Sequence, residues 1–95
     1  MRKYEVVIIL HPELDENALN EALEKVKGWI TAAGGNISKV DAWGKRRLAY
    51  IIRKQREGVY YLINAELSPA FASELDRNLR FHEPVIRYMI TAVEE

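Results

Sequence analysis

The chain reads as an α+β fold of order β-α-β-β-α-β, a four-stranded antiparallel sheet with two helices on one face. Three observations lead there. Four stretches rich in β-branched and aromatic residues alternate with two helical stripes. Asp15 and Ser68-Pro69 mark the two helix starts, and Gly34-Gly35 and His82-Glu83-Pro84 mark the two stops. Each βαβ crossover prefers the right hand, which puts both helices on the same face of the sheet.

The elements follow in order. Arg2 to Leu10 is a strand closed by His11-Pro12. Asp15 suits an N-cap; Ala18 stands three residues later, so there is no capping box. Leu19, Ala22, Leu23, Val26, Trp29, Ile30 and Ala33 repeat at helical spacing until Gly34-Gly35. Ile37, Val40 and the segment beyond them form a long second strand, kinked at Gly44. Gln55-Arg-Glu-Gly58 reads as the turn, and Val59 to Leu67 as the third strand. Ser68 caps the second helix with Pro69 at its first position, and its stripe is Phe71 or Ala72, Leu75 and Leu79. Val85 to Val93 is the fourth strand. This is the ferredoxin-like, split βαβ arrangement, expected as a single domain over residues 1–95.

Strand alternation then assigns faces. Tyr4, Val6, Ile8 and Leu10 go under the helices, as do Tyr61, Ile63, Ala65, Leu67, Ile86, Tyr88 and Ile90. The open face is left with Glu5, Val7, Ile9, Tyr60, Leu62, Asn64, Glu66, Arg87, Met89 and Thr91. Val7, Ile9, Tyr60, Leu62 and Met89 make that face more apolar than a freely solvated one, which suggests a docking surface.

Composition narrows the function. Ninety-five residues, 48% of them hydrophobic, suffice for a core. The absence of cysteine removes disulfides, thiolate chemistry and Cys-based zinc sites, and it fits a reducing compartment. The apolar run Val6 to Leu10 is too short for a signal-peptide core or a membrane span, so a complete cytosolic protein is the expectation. Fourteen cations balance fourteen anions. A nucleic-acid role therefore has to rest on a local patch.

That patch is present. Between Trp43 and Gly58 stand Lys45, Arg46, Arg47, Arg53, Lys54 and Arg56 against Glu57 alone, with the apolar Leu48-Ala-Tyr-Ile-Ile52 between the two basic groups. Isolated charges of this kind on an edge strand would serve to discourage aggregation. Six of them beside aromatics instead suit phosphate contacts, which fix affinity and register more than sequence choice. Arg2, Lys3, Arg80 and Arg87 are further candidates; the antiparallel arrangement puts Arg2-Lys3 and Arg87 at opposite ends of the sheet.

Other signals carry less. The segment Glu57-Gly-Val-Tyr-Tyr61 lacks the basic start, first aromatic and small residue of an RNA-recognition motif. Trp43 and Tyr50 read as packing or partner contacts. His11 and His82 are turn residues beside prolines, not metal ligands. Glu13, Asp15 and Glu16 cluster at a helix start, where the macrodipole favours anions. There is no catalytic triad spacing and no glycine-rich phosphate loop. No catalytic residue, metal or cofactor is expected.

The run Gly44-Lys-Arg-Arg-Leu-Ala-Tyr50, with Ile52, Lys54 and Glu57-Gly-Val-Tyr-Tyr61, resembles the bacterial small-subunit ribosomal protein S6 family. Met1-Arg-Lys-Tyr-Glu5, Glu74-Leu-Asp-Arg-Asn-Leu-Arg80 and Val85-Ile-Arg-Tyr-Met89 extend the resemblance over essentially the whole chain. Two departures are Ile51, where many members have Pro, and Phe81-His-Glu-Pro84, which replaces a more polar turn. The resemblance implies a non-enzymatic, cytoplasmic constituent of the small ribosomal subunit. It implies binding to the central domain, or platform, of the small-subunit ribosomal RNA together with ribosomal protein S18, with neither a membrane nor a small-molecule substrate. The residues expected to bind RNA, from the charge pattern and in keeping with the resemblance, are Arg2, Lys3, Lys45, Arg46, Arg47, Arg53, Lys54, Arg56, Arg80 and Arg87. Val7, Ile9, Tyr50, Tyr60, Leu62 and Met89 are expected to form the partner surface. The alternative on the same fold is a small enzyme or ligand-sensing module of acylphosphatase type. That activity needs an anion-cradling Arg after the first strand, where this chain has the acidic His11-Pro-Glu-Leu-Asp15.

Overall fold

The helices begin where local chemistry lets them begin. In the computed structural model, which describes residues 1–93, Asp15 Oδ1 accepts a hydrogen bond from Ala18 N at 2.8 Å and opens α1, Glu16–Ala32. Ser68 Oγ accepts from Phe71 N at 3.2 Å and opens α2, Pro69–Arg80, with Pro69 in the first turn. Each cap satisfies a backbone donor that has no partner inside the helix. The strands are β1, Arg2–Leu10; β2, Asn36–Ile52; β3, Gln55–Leu67; and β4, Val85–Ala92. They pair antiparallel in the order β2-β3-β1-β4.

The core forms where strand alternation meets the helix stripes. Tyr4, Val6, Ile8 and Leu10 of β1 and Tyr61, Ile63, Ala65 and Leu67 of β3 are buried together. Ala22, Val26 and Ile30 of α1 and Leu75 and Leu79 of α2 cover them. A fully buried Ile, Leu or Val in such a layer contributes about 1.5–3 kcal/mol. These are the faces expected from the sequence.

Three features differ from expectation or sharpen it. The first is the phase of β4. Ile9 pairs with Arg87 but Leu10 pairs with Val85, so a bulge leaves Ile86 without a partner. Val85 takes the core position, and Ile86, expected under the helices, joins Ile9 and Leu48 on the opposite face. One extra residue shifts the alternation, which is what a bulge does.

The second is the turn between β2 and β3. It falls at Arg53-Lys54, with φ of 49° and 65°, and not at 55–58; β3 already starts at Gln55. Ile52 and Gln55 are cross-strand partners around this two-residue turn, whose paired positive φ values match the twist of a hairpin.

The third is the path of β2. The kink expected at Gly44 is a register shift between Ala42 and Gly44, with Gly44 at φ 80°. Trp43 is the extra residue. Further on, Arg47 pairs with Glu57 and Ile52 with Gln55, so residues 48 to 51 face Arg56 alone. The β2 arm therefore arches away from its ladder.

Candidate nucleic-acid interface

The arch brings the hairpin over the open face of the sheet. Leu48 turns inward and packs with Ile9 and Ile86, all three under 8% exposed, with Ile52 and Tyr60 around them. This satellite core fastens the arm to β1 and β4. At its far side Arg53 Nη1 donates to the Val85 carbonyl at 3.4 Å, and Arg87 donates to the Tyr50 hydroxyl with its guanidinium over the Tyr50 ring. The arm is thus tied to β4 by hydrophobic contact, hydrogen bonds and a cation–π pair.

All six cations expected on this hairpin are exposed. Lys45, Arg46 and Arg47 lie on the edge strand opposite Val59, Gly58 and Glu57. Arg53 and Lys54 form the turn and Arg56 follows on β3. Ion pairs occur elsewhere: Lys27 with Glu24 at 2.8 Å, Lys39 with Asp41 at 3.6 Å and Arg80 with Asp76 at 2.9 Å. Among the described residues no carboxylate neutralises a hairpin cation. Their charge is left for a solvent or an external anion.

The other basic candidates divide. Arg87 pairs with Ile9 and so stands at the hairpin end of the sheet, next to the cluster. Arg2 and Lys3 pair with Leu67 and Glu66 at the opposite end. Arg80 closes α2, where the Tyr88 hydroxyl and then Asp76 favour its charged form further. The fold brings seven of the ten together and leaves three apart.

Beside the cluster is an apolar groove of about 210 Å³, lined by Val7, Ile9, Tyr50, Tyr60 and Met89 with Leu48, Ala49, Ile52, Arg87 and Tyr88. Five of the six residues expected on the partner surface meet here; Leu62 lies off it, between Val7 and Asp41 in the ladder. Ile9 needs a correction. It was expected open, but at 7% exposure it forms the floor under Leu48 and Ile86 and offers little to a partner. Leu48, Ala49 and Ile52 were missed, although the apolar interruption between two basic runs was their signal. Trp43 stacks on Tyr60, with ring centroids 6.3 Å apart and planes at 23°, and carries the Arg46 guanidinium 5.7 Å above its own ring.

The histidines sit in turns. His11 N donates to the Pro84 carbonyl. The His82 ring meets Trp29 edge-on at 5.2 Å, and its Nε2 has no hydrogen-bond partner among the described residues. Among those residues no group of His, Asp and Glu could hold a metal ion, and no helix is long and apolar enough to cross a membrane.

A helix-backed, four-stranded antiparallel sheet whose free face carries an apolar groove and an unneutralised cationic hairpin defines a small ferredoxin-like α+β protein. The family profile described as Ribosomal protein S6 matches residues 3–92. The chain is 53% identical over 87 residues to small ribosomal subunit protein bS6 of Nocardia farcinica, covering 92% of each. It is 47% identical over 95 residues to bS6 of Moorella thermoacetica, covering all of this chain and 97% of that protein. The crystal structure of 30S ribosomal protein S6 from Thermotoga maritima superposes with a TM-score of 0.91 at 31% identity, over 97% of this chain and 87% of that one. The chain belongs to the ribosomal protein S6 family. It is a structural, non-enzymatic protein of the small subunit of the cytoplasmic ribosome.

Proposed function

We propose that this protein grips the central domain of the small-subunit ribosomal RNA with its β2–β3 hairpin while seating ribosomal protein S18 on the open face of its sheet. The observation that carries the reading is the gathering of Lys45, Arg46, Arg47, Arg53, Lys54, Arg56 and Arg87 at one end of the sheet, with no carboxylate partner among the described residues. Exposed cations whose charge no carboxylate offsets are available to phosphates, including Arg53 and Arg87, which also tie the arm to β4. The groove next to them is apolar and bordered by Tyr50, Tyr60 and Met89, of which Met89 is 53% exposed. A partner seated there would bury that surface and present its own charges to the same RNA. Arg2 and Lys3 enter the RNA contact only where the RNA reaches the far end of the sheet, and Arg80, at the end of α2, only where it reaches round to the helix layer.

A filter-binding titration against a central-domain RNA fragment, with S18 present, tests this. The logarithm of the affinity should fall linearly with the logarithm of salt, by about 0.7–0.9 for each phosphate contacted. Replacing Arg46 and Arg47 together by Ala should flatten that slope by about two and weaken binding on any RNA sequence. An affinity indifferent to salt, or to the double replacement, overturns the phosphate reading.

A further inference from the structure

The hairpin cations are not equivalent. Among the described residues, Lys45, Arg47, Lys54 and Arg56 make no side-chain hydrogen bond, ion pair or ring contact. Arg46 is held twice. Its guanidinium lies 5.7 Å from the centre of the Trp43 ring, and its Nε donates to the Trp43 carbonyl at 3.3 Å. Trp43 in turn stacks on Tyr60, a residue of the inner strand β3. The support is built by the backbone: the shift of register at Gly44, at φ 80°, makes Trp43 the extra residue of β2 and sets it over Tyr60 on the open face.

Both constraints act on the inner parts of the guanidinium. Nη1 and Nη2 have no partner among the described residues. A fork with its Nε satisfied and its plane fixed loses less freedom on meeting a phosphate than a free side chain does. It also presents two parallel donors, the geometry that a phosphate accepts best. A lysine could supply the charge but neither the stack nor the fork.

We propose that Trp43, braced by Tyr60, is a positioning residue that fixes the Arg46 guanidinium for two-pronged contact with an RNA phosphate. This rests on the RNA-binding reading above and adds to it a division of labour: Arg46 is pre-set on the edge strand, while Lys45, Arg47, Lys54 and Arg56 have no contact among the described residues to hold them.

The test is a double-mutant cycle in the same binding assay, run at one salt concentration and then across a salt series. W43L should weaken binding roughly three- to tenfold, the scale of re-immobilising one long side chain. Its salt slope should stay unchanged because no charge is lost. In an R46A background W43L should cost nothing further. W43F, which keeps a ring, should retain most of the affinity. R46K should lose affinity although charge is kept, and R47K should not. W43L weakening binding equally with and without Arg46 overturns the proposal, as does R46K binding like the parent. If W43L fails to fold by circular dichroism, the comparison of R46K with R47K decides, and equal effects overturn it. If R46A itself leaves affinity and salt slope unchanged, Arg46 contacts no phosphate, and that failure belongs to the RNA reading and is separable from a failure of Trp43.

Discussion

Gly58 shows how much a single missing side chain can decide. In the sequence it marks a turn; in the fold it lies within β3, opposite Arg46, and Ile9 rests on it. A Cβ there would stand 2.3 Å from Ile9 Cγ2 and 3.4 Å from Ile86 Cδ1. Ile9 cannot retreat, because Leu48 and Ile86 close over it. Gly58→Ala is therefore expected to destabilise the protein by about 1–3 kcal/mol, as overpacking does. A lower urea midpoint at unchanged slope is the result expected, and an unchanged midpoint would mean that the arm is not pressed onto β1. Trp43 makes the same point for a large residue. Its sequence context read as packing or partner contact, and only its place over Tyr60 shows that it holds Arg46.

At the scale of elements, the β2–β3 hairpin combines a scaffold and a charge display that compete at one residue. Lys54 adopts φ 65°, which costs a residue with a side chain about 1–2 kcal/mol. The turn type favours Asn-Gly, and Arg53-Lys54 is a poor match for it. Lys54→Gly should relieve the strain, offset in part by the greater freedom of glycine in the unfolded chain, for a net gain of about 0.5–1 kcal/mol. The same change removes a cation, so RNA affinity should drop and the salt slope become shallower by about one. Chemical denaturation and the salt titration together read both signs. A variant more stable and equally tight would remove Lys54 from the RNA contact. The sequence misplaced this turn by two residues because the rule looks for glycine, and the nearest glycine is Gly58. Arg53-Lys54 carries none of the usual turn chemistry.

Across the whole molecule, stability is expected to depend on pH through the seam between α1 and the loop that leads into β4. His82 lies there against Trp29, and burial first and Lys25 second push its imidazole below its ordinary value of 6.5, partly opposed by the backbone of Ala22. Well above pH 6.5 the ring is neutral in both folded and unfolded chains and costs nothing. As pH falls from 6.5 through the lowered folded value, the unfolded chain takes up the proton more readily, so folding stability declines. Urea midpoints measured from pH 8 to pH 5 should fall on the acid side, and His82→Gln should reduce that fall. An unaltered pH profile in the variant would place the proton uptake elsewhere.

The order of elements, the two helix caps, the core faces of β1 and β3 and the grouping of six cations were all legible in the chain itself. Each depends on neighbours within a few residues or on a period of two or 3.6, and such local physics survives into the fold. Tertiary structure alone decided that the hairpin arches over Ile9, that a bulge moves Ile86 to the open face and that Arg46 is stacked. These depend on register between strands far apart in sequence. One extra residue in a ladder reverses every side chain beyond it, and no local pattern records which strand yields that residue.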